Sequence, residues 1–215
     1  MPKEHFSHVR AWVFDLDNTL YPPAMRLFDQ IEKRMTAFVM RATGATQDHA
    51  DLLRKTWWAD HGTTLAGLMK HHKVDPDIYL EDVHDISFDA LTPDPHLAEL
   101  IASLPGRKIV YTNGSAPYAA QVLQARGLEA AFDAIYGVEH ADYTPKPERS
   151  AFERVFTSAG IDPSEAAMFE DDPRNLAAPH RMGMRTVLVG PEPHEADHIQ
   201  HHTTDLGAFL RKLLP

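Results

Sequence analysis

Two aspartates, Asp15 and Asp17, directly follow a short apolar run over residues 9–14. Apolar, β-branched and aromatic residues favour a buried strand, and carboxylates at its end would repel each other unless something there needs them. In an extended chain, side chains two positions apart point to the same side. Such a pair could hold a hard cation and still leave one oxygen free to react as a nucleophile. The spacing therefore predicts a reactive, cation-binding site at a strand end.

A calcium-binding loop can begin with the same two acids, but the residues that follow exclude it. The EF-hand loop needs Gly at its sixth position and Glu at its twelfth. This chain has Leu20 and Arg26 at those positions. The two acids are therefore interpreted as part of a site that other segments complete.

Two later segments could supply groups that bind an anion. Thr112, Asn113 and Gly114 follow an apolar run, and a hydroxyl, an amide and a flexible glycine backbone can donate to phosphate oxygens. Lys146 stands between two prolines, which restrict the backbone and would hold its ammonium on a stiff loop. Taken alone, residues 112–115 could also be a plain turn with a helix N-cap, and Lys146 could be a surface lysine in a proline turn.

A third segment carries consecutive acids, Glu170, Asp171 and Asp172, at the end of another apolar run. One of them could cap the helix that follows. Three exceed what capping needs and indicate cation binding. If the strands are neighbours in the sheet, these acids would complete a magnesium site with Asp15 and Asp17.

The remaining pattern predicts the elements that must position these groups. Strand-like runs alternate with helix-like stretches, which indicates βαβ units and a parallel sheet in an α/β fold. The predicted strands cover residues 9–14, 108–112, 134–136, 167–169 and 186–189. The predicted helices of this part cover residues 96–104, 118–126, 148–159, 174–182 and 205–214.

Residues 22–93 break the alternation, because they contain helical patterns and no convincing strand. The helices are predicted over residues 25–41, 47–60, 64–72 and 75–82. The chain is thus expected to have a core of residues 1–21 and 94–215 and an inserted helical cap of residues 22–93. Because ligands bind at the carboxyl ends of parallel strands, the insertion would lie over the site as a lid; an ordinary helical subdomain is the alternative.

Composition excludes several classes of function. The 215 residues suit one domain with a modest insertion. A formal charge of −10 argues against a nucleic-acid polymer as partner, although a small phosphorylated substrate needs only a few local cations. The absence of cysteine rules out thiolate chemistry. No apolar stretch approaches a membrane span, so a cytoplasmic protein without membrane contact is expected, and the sequence carries no signal of oligomeric state.

The four segments, in this order, resemble the haloacid dehalogenase (HAD) superfamily of aspartyl-nucleophile phosphohydrolases. Its first motif is similar to Asp15-Leu16-Asp17-Asn18-Thr19, its second to Thr112-Asn113, its third to Lys146, and its fourth to Glu170-Asp171 with Asn175. The resemblance covers almost the whole chain. It implies a Rossmann-like, doubly wound parallel sheet with an inserted α-helical cap, which agrees with the predicted element order.

The resemblance also implies roles for these residues. Asp15 would attack phosphorus, and Asp17 would serve as acid and base while its backbone carbonyl binds Mg²⁺. Thr112 and Lys146 would hold the phosphoryl group, and Asp171 would be the remaining magnesium ligand. The substrate would also meet Thr19, Asn113 and Gly114. The residues expected around the magnesium ligands are Glu170, Asp172 and Asn175.

Within the superfamily, the first and fourth motifs are similar to the pyrimidine 5′-nucleotidase-like branch. The implied substrates are nucleoside monophosphates such as UMP or CMP. Phosphoglycolate or a sugar phosphate is the alternative substrate, and a non-catalytic phosphate-binding or scaffolding protein is the alternative class. Dehalogenases of the superfamily lack the second acid, so Asp17 counts against them. The aromatic residues that could stack on a base, or else pack in the core, are Tyr21, Phe28, Trp57 and Trp58.

Overall fold

Six parallel strands form one sheet at the centre of the molecule. The computed structural model describes residues 2–214. The strands are β1 Ala11–Phe14, β2 Arg107–Tyr111, β3 Ala134–Tyr136, β4 Ala166–Glu170, β5 Arg185–Val189 and β6 His201–Thr203. Their order is β3-β2-β1-β4-β5-β6, and each pairs in parallel with its neighbours. The order reverses at β1, so the strand that carries the two aspartates lies next to the switch point, where ligands bind in such sheets.

Helices connect the strands and cover both faces of the sheet. They are α1 Pro2–His5, α2 Leu27–Thr43, α3 Gln47–His61, α4 Thr64–His72, α5 Pro76–His84, α6 Pro95–Ala102, α7 Ala116–Arg126, α8 Arg149–Ala159, α9 Ala177–Arg181 and α10 Leu206–Arg211. Short 3-10 helices cover Pro23–Met25, Glu129–Ala131, Val138–Ala141, Pro163–Glu165 and Pro173–Leu176. The predicted α/β fold with a Rossmann-like, doubly wound parallel sheet is confirmed.

Alternation along β1 divides the core into two layers. Trp12 and Phe14 pack with α6, α7 and α10 on one face of the sheet, and Ala11 and Val13 pack with α8 and α9 on the other. A strand with both faces covered is apolar throughout, which explains the continuous run seen in the sequence.

Helices α2–α5, here called the cap helices, lie between β1 and β2 in the chain. They pack on one another through apolar residues that include Ile31 and Val39 of α2 and the fully packed Trp57 of α3. Gly67 of α4 lets α3 come close, because a Cβ at that position would lie 2.1 Å from Trp57 Cγ. The exact domain boundary at residues 22–93 stays a prediction.

Three details differ from the predicted elements, each for a local reason. The first cap helix begins at Leu27, because Pro23 starts a separate 3-10 turn that ends at Arg26 with a left-handed φ of 55°. The stretch predicted as one helix over residues 174–182 is a 3-10 turn followed by the short α9. Strand β6 was not predicted, since its sequence His-His-Thr lacks apolar alternation. Within residues 2–214, no helix combines the length and apolarity needed to cross a membrane.

Candidate active site

Asp15 sits where β1 ends between its two neighbours. Its backbone N–H donates to the carbonyl of Phe169 at 2.9 Å, so the pairing with β4 extends to this residue. The chain then turns sharply, with Asn18 in the left-handed region at φ 60°, a conformation that asparagine tolerates better than most residues. Asp15 is only 5% exposed. Asp15 therefore lies at the end of β1, as the sequence predicted.

Lys146 lies in the middle of the buried acids. Its Nζ donates to Asp15 Oδ1 at 2.6 Å, to Glu170 Oε2 at 2.7 Å and to the Tyr111 carbonyl at 3.1 Å. Its side chain is 1% exposed. Burial alone would lower the pKa of Lys146, but the Asp15 and Glu170 carboxylates outweigh it and raise that pKa above its usual value. The lysine is therefore held as a cation.

Asn113 fixes the loop that carries this lysine. Its Oδ1 accepts from the Lys146 backbone N–H at 2.8 Å, and its Nδ2 donates to the Lys146 carbonyl at 3.1 Å. The loop after β2 and the loop before α8 are thus tied by a two-bond amide clamp. Asn113 was predicted to contact substrate; it lines the cavity described below, and its amide also positions Lys146.

Asp15, Glu170 and Asp171 form the carboxylate cluster, with one oxygen from each within 4.8 Å of the others. Burial and then the charge of Glu170 raise the pKa of both Asp15 and Asp171. One ammonium does not balance these acids, and hard carboxylate oxygens are the ligands that Mg²⁺ prefers. The residues therefore fit a divalent cation. Glu170 was predicted to lie beside the magnesium ligands, and in the structure it is itself a member of the carboxylate cluster.

The side chain of Asp17 has a different environment. Its Oδ1 accepts hydrogen bonds from the hydroxyls of Tyr21 and Tyr118, each at 2.6 Å. Burial raises the pKa of Asp17, and the two hydroxyls oppose that rise. Asp17 lines the cavity, but its carboxylate is not part of the carboxylate cluster. The two acids of the first motif thus face different partners.

The contact between Tyr118 and Asp17 was not predicted from the sequence. Tyr118 lies in the first turn of α7, and the ring of His84, the last residue of α5, stacks on it with centroids 4.2 Å apart and planes 5° apart. His84 Nδ1 lies 3.1 Å from the hydroxyl oxygen of Ser115, which caps α7. Burial lowers the pKa of His84 to about 4, so its ring is neutral near pH 7.

Two further predicted residues lie near the site, and one of them does not face the cavity. Thr112 is 1% exposed, lines the cavity, and accepts from the Gly114 N–H at 2.9 Å. Thr19 is buried outside the cavity lining, and its Oγ1 has no hydrogen-bond partner among residues 2–214. Its predicted contact with substrate therefore has no support in the geometry, because the turn after Asp17 directs it into the protein.

The residues after β4 divide between the cavity and their own turn. Asp172 caps the 3-10 helix by accepting from the Arg174 N–H at 3.0 Å, and it forms an ion pair with the Arg174 guanidinium at 2.7 Å. This is the capping role considered for one of the three acids. Asn175 lines the cavity, and its Oδ1 is buried without a partner among the described residues, which leaves it able to accept a hydrogen bond from a ligand or a metal-bound water.

A cavity of about 530 Å³ lies between these groups and the cap helices. Its floor is polar and carries Asp15, Asp17 and Lys146. Its roof is mainly apolar, with side chains Phe28, Ile31, Met35, Leu65, Leu80 and Val83. A volume of this size is typical of small-molecule sites.

The aromatic residues considered for stacking separate into two groups. Tyr21 and Trp57 are buried away from the cavity lining, whereas Phe28 and Trp58 line it. Trp58 is half exposed, and the Arg174 guanidinium lies 3.3 Å from its ring centroid. A cation on one face of an indole attracts it electrostatically, so this pair joins the cap helices to the loop after β4.

Comparison with known families agrees with this arrangement. Residues 9–183 match the family described as haloacid dehalogenase-like hydrolase. The chain belongs to this family. The prediction of a HAD-superfamily phosphohydrolase, and hence of an enzyme, is confirmed at this level. The pyrimidine 5′-nucleotidase branch stays a prediction.

Two curated proteins are similar to this chain at low sequence identity. The chain is 25% identical over 226 residues to Phosphate metabolism protein 8 of Saccharomyces cerevisiae, covering 95% of this chain and 70% of that protein. It is 23% identical over 206 residues to a phosphoglycolate phosphatase of Shigella dysenteriae, covering 85% and 81%. The structure of CbbY from Rhodobacter sphaeroides in complex with phosphate is similar in fold, with a TM-score of 0.66, 20% identity, and coverage of 94% of this chain and 99% of that one.

Proposed function

We propose that this HAD hydrolase is a magnesium-dependent phosphomonoester hydrolase that acts through an aspartyl-phosphate. The observation that supports it best is the position of Lys146, whose ammonium bridges Asp15 and Glu170 at 2.6 and 2.7 Å on the floor of the cavity. A fixed cation there would hold the nucleophilic carboxylate and attract phosphoryl oxygens. Charge neutralisation and positioning are the main means of catalysing phosphoryl transfer.

In the proposed first step, a carboxylate oxygen of Asp15 attacks phosphorus and forms a new P–O bond. The ester P–O bond breaks, and Asp17 gives its proton to the leaving oxygen. In the second step, Asp17 takes a proton from water and the water oxygen attacks phosphorus. The P–O bond to Asp15 breaks, which releases inorganic phosphate and regenerates the Asp15 carboxylate. Thr112, Asn113 and Gly114 lie where they could contact the phosphoryl oxygens.

Asp15, Asp171 and the backbone carbonyl of Asp17 would hold Mg²⁺, with Glu170 and Asn175 beside them. When bound, Mg²⁺ would offset negative charge on the phosphoryl oxygens. Asp172 is not included, because its carboxylate already pairs with Arg174.

Hydrolysis of p-nitrophenyl phosphate tests this proposal. We expect turnover with Mg²⁺, loss of turnover in EDTA, and recovery when Mg²⁺ is restored. Asp15→Asn should lower kcat by at least ~10³-fold with little change in thermal unfolding, because an amide cannot form the covalent intermediate. Full activity in EDTA would contradict the metal assignment, and near-normal kcat in Asp15→Asn would contradict the covalent mechanism. Phosphate binding without turnover would favour the non-catalytic alternative.

The cavity roof favours a substrate whose leaving group is uncharged and has an apolar face. Among the described cavity residues, Lys146 and Arg174 carry the permanent positive charges; Lys146 lies on the floor and Arg174 is paired with Asp172. The carboxylate of phosphoglycolate would therefore meet apolar side chains, and burying it unpaired is costly. A nucleoside monophosphate, as in pyrimidine 5′-nucleotidases, could place its base against Phe28 or Trp58.

A panel of phosphomonoesters tests this substrate class. We expect kcat/KM for UMP or CMP to exceed that for phosphoglycolate by at least ~10-fold, the effect of about 1.4 kcal/mol of discrimination. p-Nitrophenyl phosphate serves as the reference for intact chemistry. A preference for phosphoglycolate, the substrate named for the Shigella relative, would overturn the assignment to nucleotides while leaving the phosphatase proposal intact.

A further inference from the structure

Two tyrosine hydroxyls converge on one oxygen of the proposed acid–base residue. Tyr21 follows the first motif, and Tyr118 comes from α7, yet both donate to Asp17 Oδ1 at 2.6 Å. Both rings are 1% exposed, so packing fixes their positions. Hydrogen bonds to a carboxylate are shorter and stronger than those between neutral groups. The pair restricts rotation of the Asp17 carboxylate about its own axis.

The choice of oxygen has a chemical consequence. An oxygen that accepts two hydrogen bonds has both of its lone pairs occupied. When the carboxyl group takes up a proton, the other oxygen therefore carries it. The transferable proton of Asp17 would then be carried by Oδ2, the other oxygen. Because Asp17 lines the cavity, a fixed carboxyl plane would keep that proton aimed at the leaving group.

His84 connects the cap helices to this arrangement. His84, at the end of α5, stacks on the ring of Tyr118, while Ser115 Oγ lies 3.1 Å from its Nδ1. Tyr118 is therefore held between the cap helices on one side and Asp17 on the other. Removing the stack would give the Tyr118 ring, and through it Asp17, more freedom.

We propose that Tyr21 and Tyr118 are positioning residues that orient Asp17 with Oδ2 as its acid oxygen, and that His84 couples the cap helices to this orientation. The inference rests on the proposed function, since it assigns Asp17 the role of general acid. The inference adds three residues to the groups that determine the rate. Tyr21 and Tyr118 lie outside the cavity lining, and His84 belongs to the cap helices.

The dependence of rate on the leaving group separates positioning from a general structural role. kcat/KM reports the steps up to cleavage of the ester bond. p-Nitrophenolate is weakly basic and leaves without an acid, whereas an alkoxide needs a proton from Asp17. General acid catalysis contributes about 10²–10⁴-fold. We therefore expect Tyr118→Phe and Tyr21→Phe to lower kcat/KM for an alkyl phosphomonoester by about 10-fold each, and for p-nitrophenyl phosphate by less than about 3-fold.

A matched control is Tyr136→Phe, which removes a hydroxyl from another buried tyrosine, on β3. It should leave both rates unchanged. His84→Ala should reproduce the loss for the alkyl ester, and His84→Phe, which keeps an aromatic ring on Tyr118, should restore most of it. Thermal unfolding of each variant accompanies the rates, and the single variants test the inference even if the double tyrosine variant does not fold.

Equal losses for both esters in the tyrosine variants would overturn the positioning role. A leaving-group effect in the tyrosine variants without one in His84→Ala would overturn the coupling to the cap helices. Absence of any turnover in the unaltered protein is a different result: it would overturn the proposed function and this inference with it.

Discussion

At the residue scale, Lys146 determines whether the acids at this edge of the sheet can remain buried together. It contacts two carboxylates and a backbone carbonyl through one ammonium group. Removing one partner of a buried ion pair leaves an uncompensated charge, which typically costs about 3–5 kcal/mol. The lysine is thus expected to contribute to folding as well as to chemistry.

We expect Lys146→Met to lower the free energy of unfolding by about 3 kcal/mol in EDTA. Adding Glu170→Gln should recover part of that loss, because one of the acids left without a counter-charge is then neutral. Urea unfolding of both variants measures the effect. If the double variant is less stable than Lys146→Met, repulsion among the acids is not the cause.

The acids and the lysine of the site could be predicted, because each stands at the end of an apolar run or in a proline-restricted loop. The role of Tyr118 could not be predicted, because Tyr118 and Asp17 are 101 positions apart in the chain. The Tyr118 hydroxyl reaches Asp17 only after α7 has packed beside β1. No local pattern distinguishes it from a core tyrosine. Thr19 shows the opposite case, where a motif position was predicted to meet substrate but the turn buries it outside the cavity.

At the element scale, the turn between α3 and α4 is one place where the cap helices touch the loop that carries Lys146. Gly62 occupies this turn with φ 85°, and a Cβ there would lie 3.0 Å from the Lys146 carbonyl and 3.2 Å from Pro145 Cγ. The glycine therefore permits both the left-handed backbone and the close approach.

Gly62→Ala should displace the cap helices from this loop and lower kcat/KM for p-nitrophenyl phosphate by about 10-fold, as expected when groups that position a site move. Gly44→Ala is the matched control, since Gly44 also has a left-handed φ, 71°, but a Cβ there would meet nothing within 4 Å. Both substitutions should cost about 1 kcal/mol or more of stability. Equal activities in the two variants would show that the close contact is not needed.

Elements with strong periodicity were predicted well, and elements defined by pairing alone were not. The helix predicted over residues 64–72 coincides with α4, because its apolar face and flanking residues are local signals. β6 forms only because β5 offers a free edge, and its three residues are all partly exposed. The break at Arg26 likewise depends on how the chain leaves the first motif.

At the scale of the whole molecule, protonation of His84 at low pH is expected to weaken the docking of the cap helices on the core. Its folded-state pKa of about 4 lies below its usual value because of burial. The stability that depends on its neutral form is therefore complete above about pH 6.5 and is lost as pH falls toward 4. Ser115 and Tyr118 contact His84 and carry no opposing charge, and the adjacent Asp85 is paired with Arg34.

We expect the melting temperature to fall further between pH 7 and pH 5 in the unaltered protein than in His84→Phe, by about 2–4 °C. This difference corresponds to about 1 kcal/mol after discounting for a partly exposed ring. Other titrating groups act in both proteins and cancel in the comparison. Parallel pH profiles would show that protonation of His84 does not weaken the fold.

The central place of β1 also has a consequence for the nascent chain. Its partners lie far downstream, since Ala11 pairs with Arg107 and with Ala166. At about 5–20 residues per second, the interval from Ala11 to Ala166 takes roughly 8–30 s of translation. For all of that time at least one edge of an apolar strand with Trp12 and Phe14 is unpaired, and unpaired edges are where strands aggregate. Asp15 and Asp17 then place two solvated charges at its end, and we expect them to keep the unfinished chain soluble before they are buried.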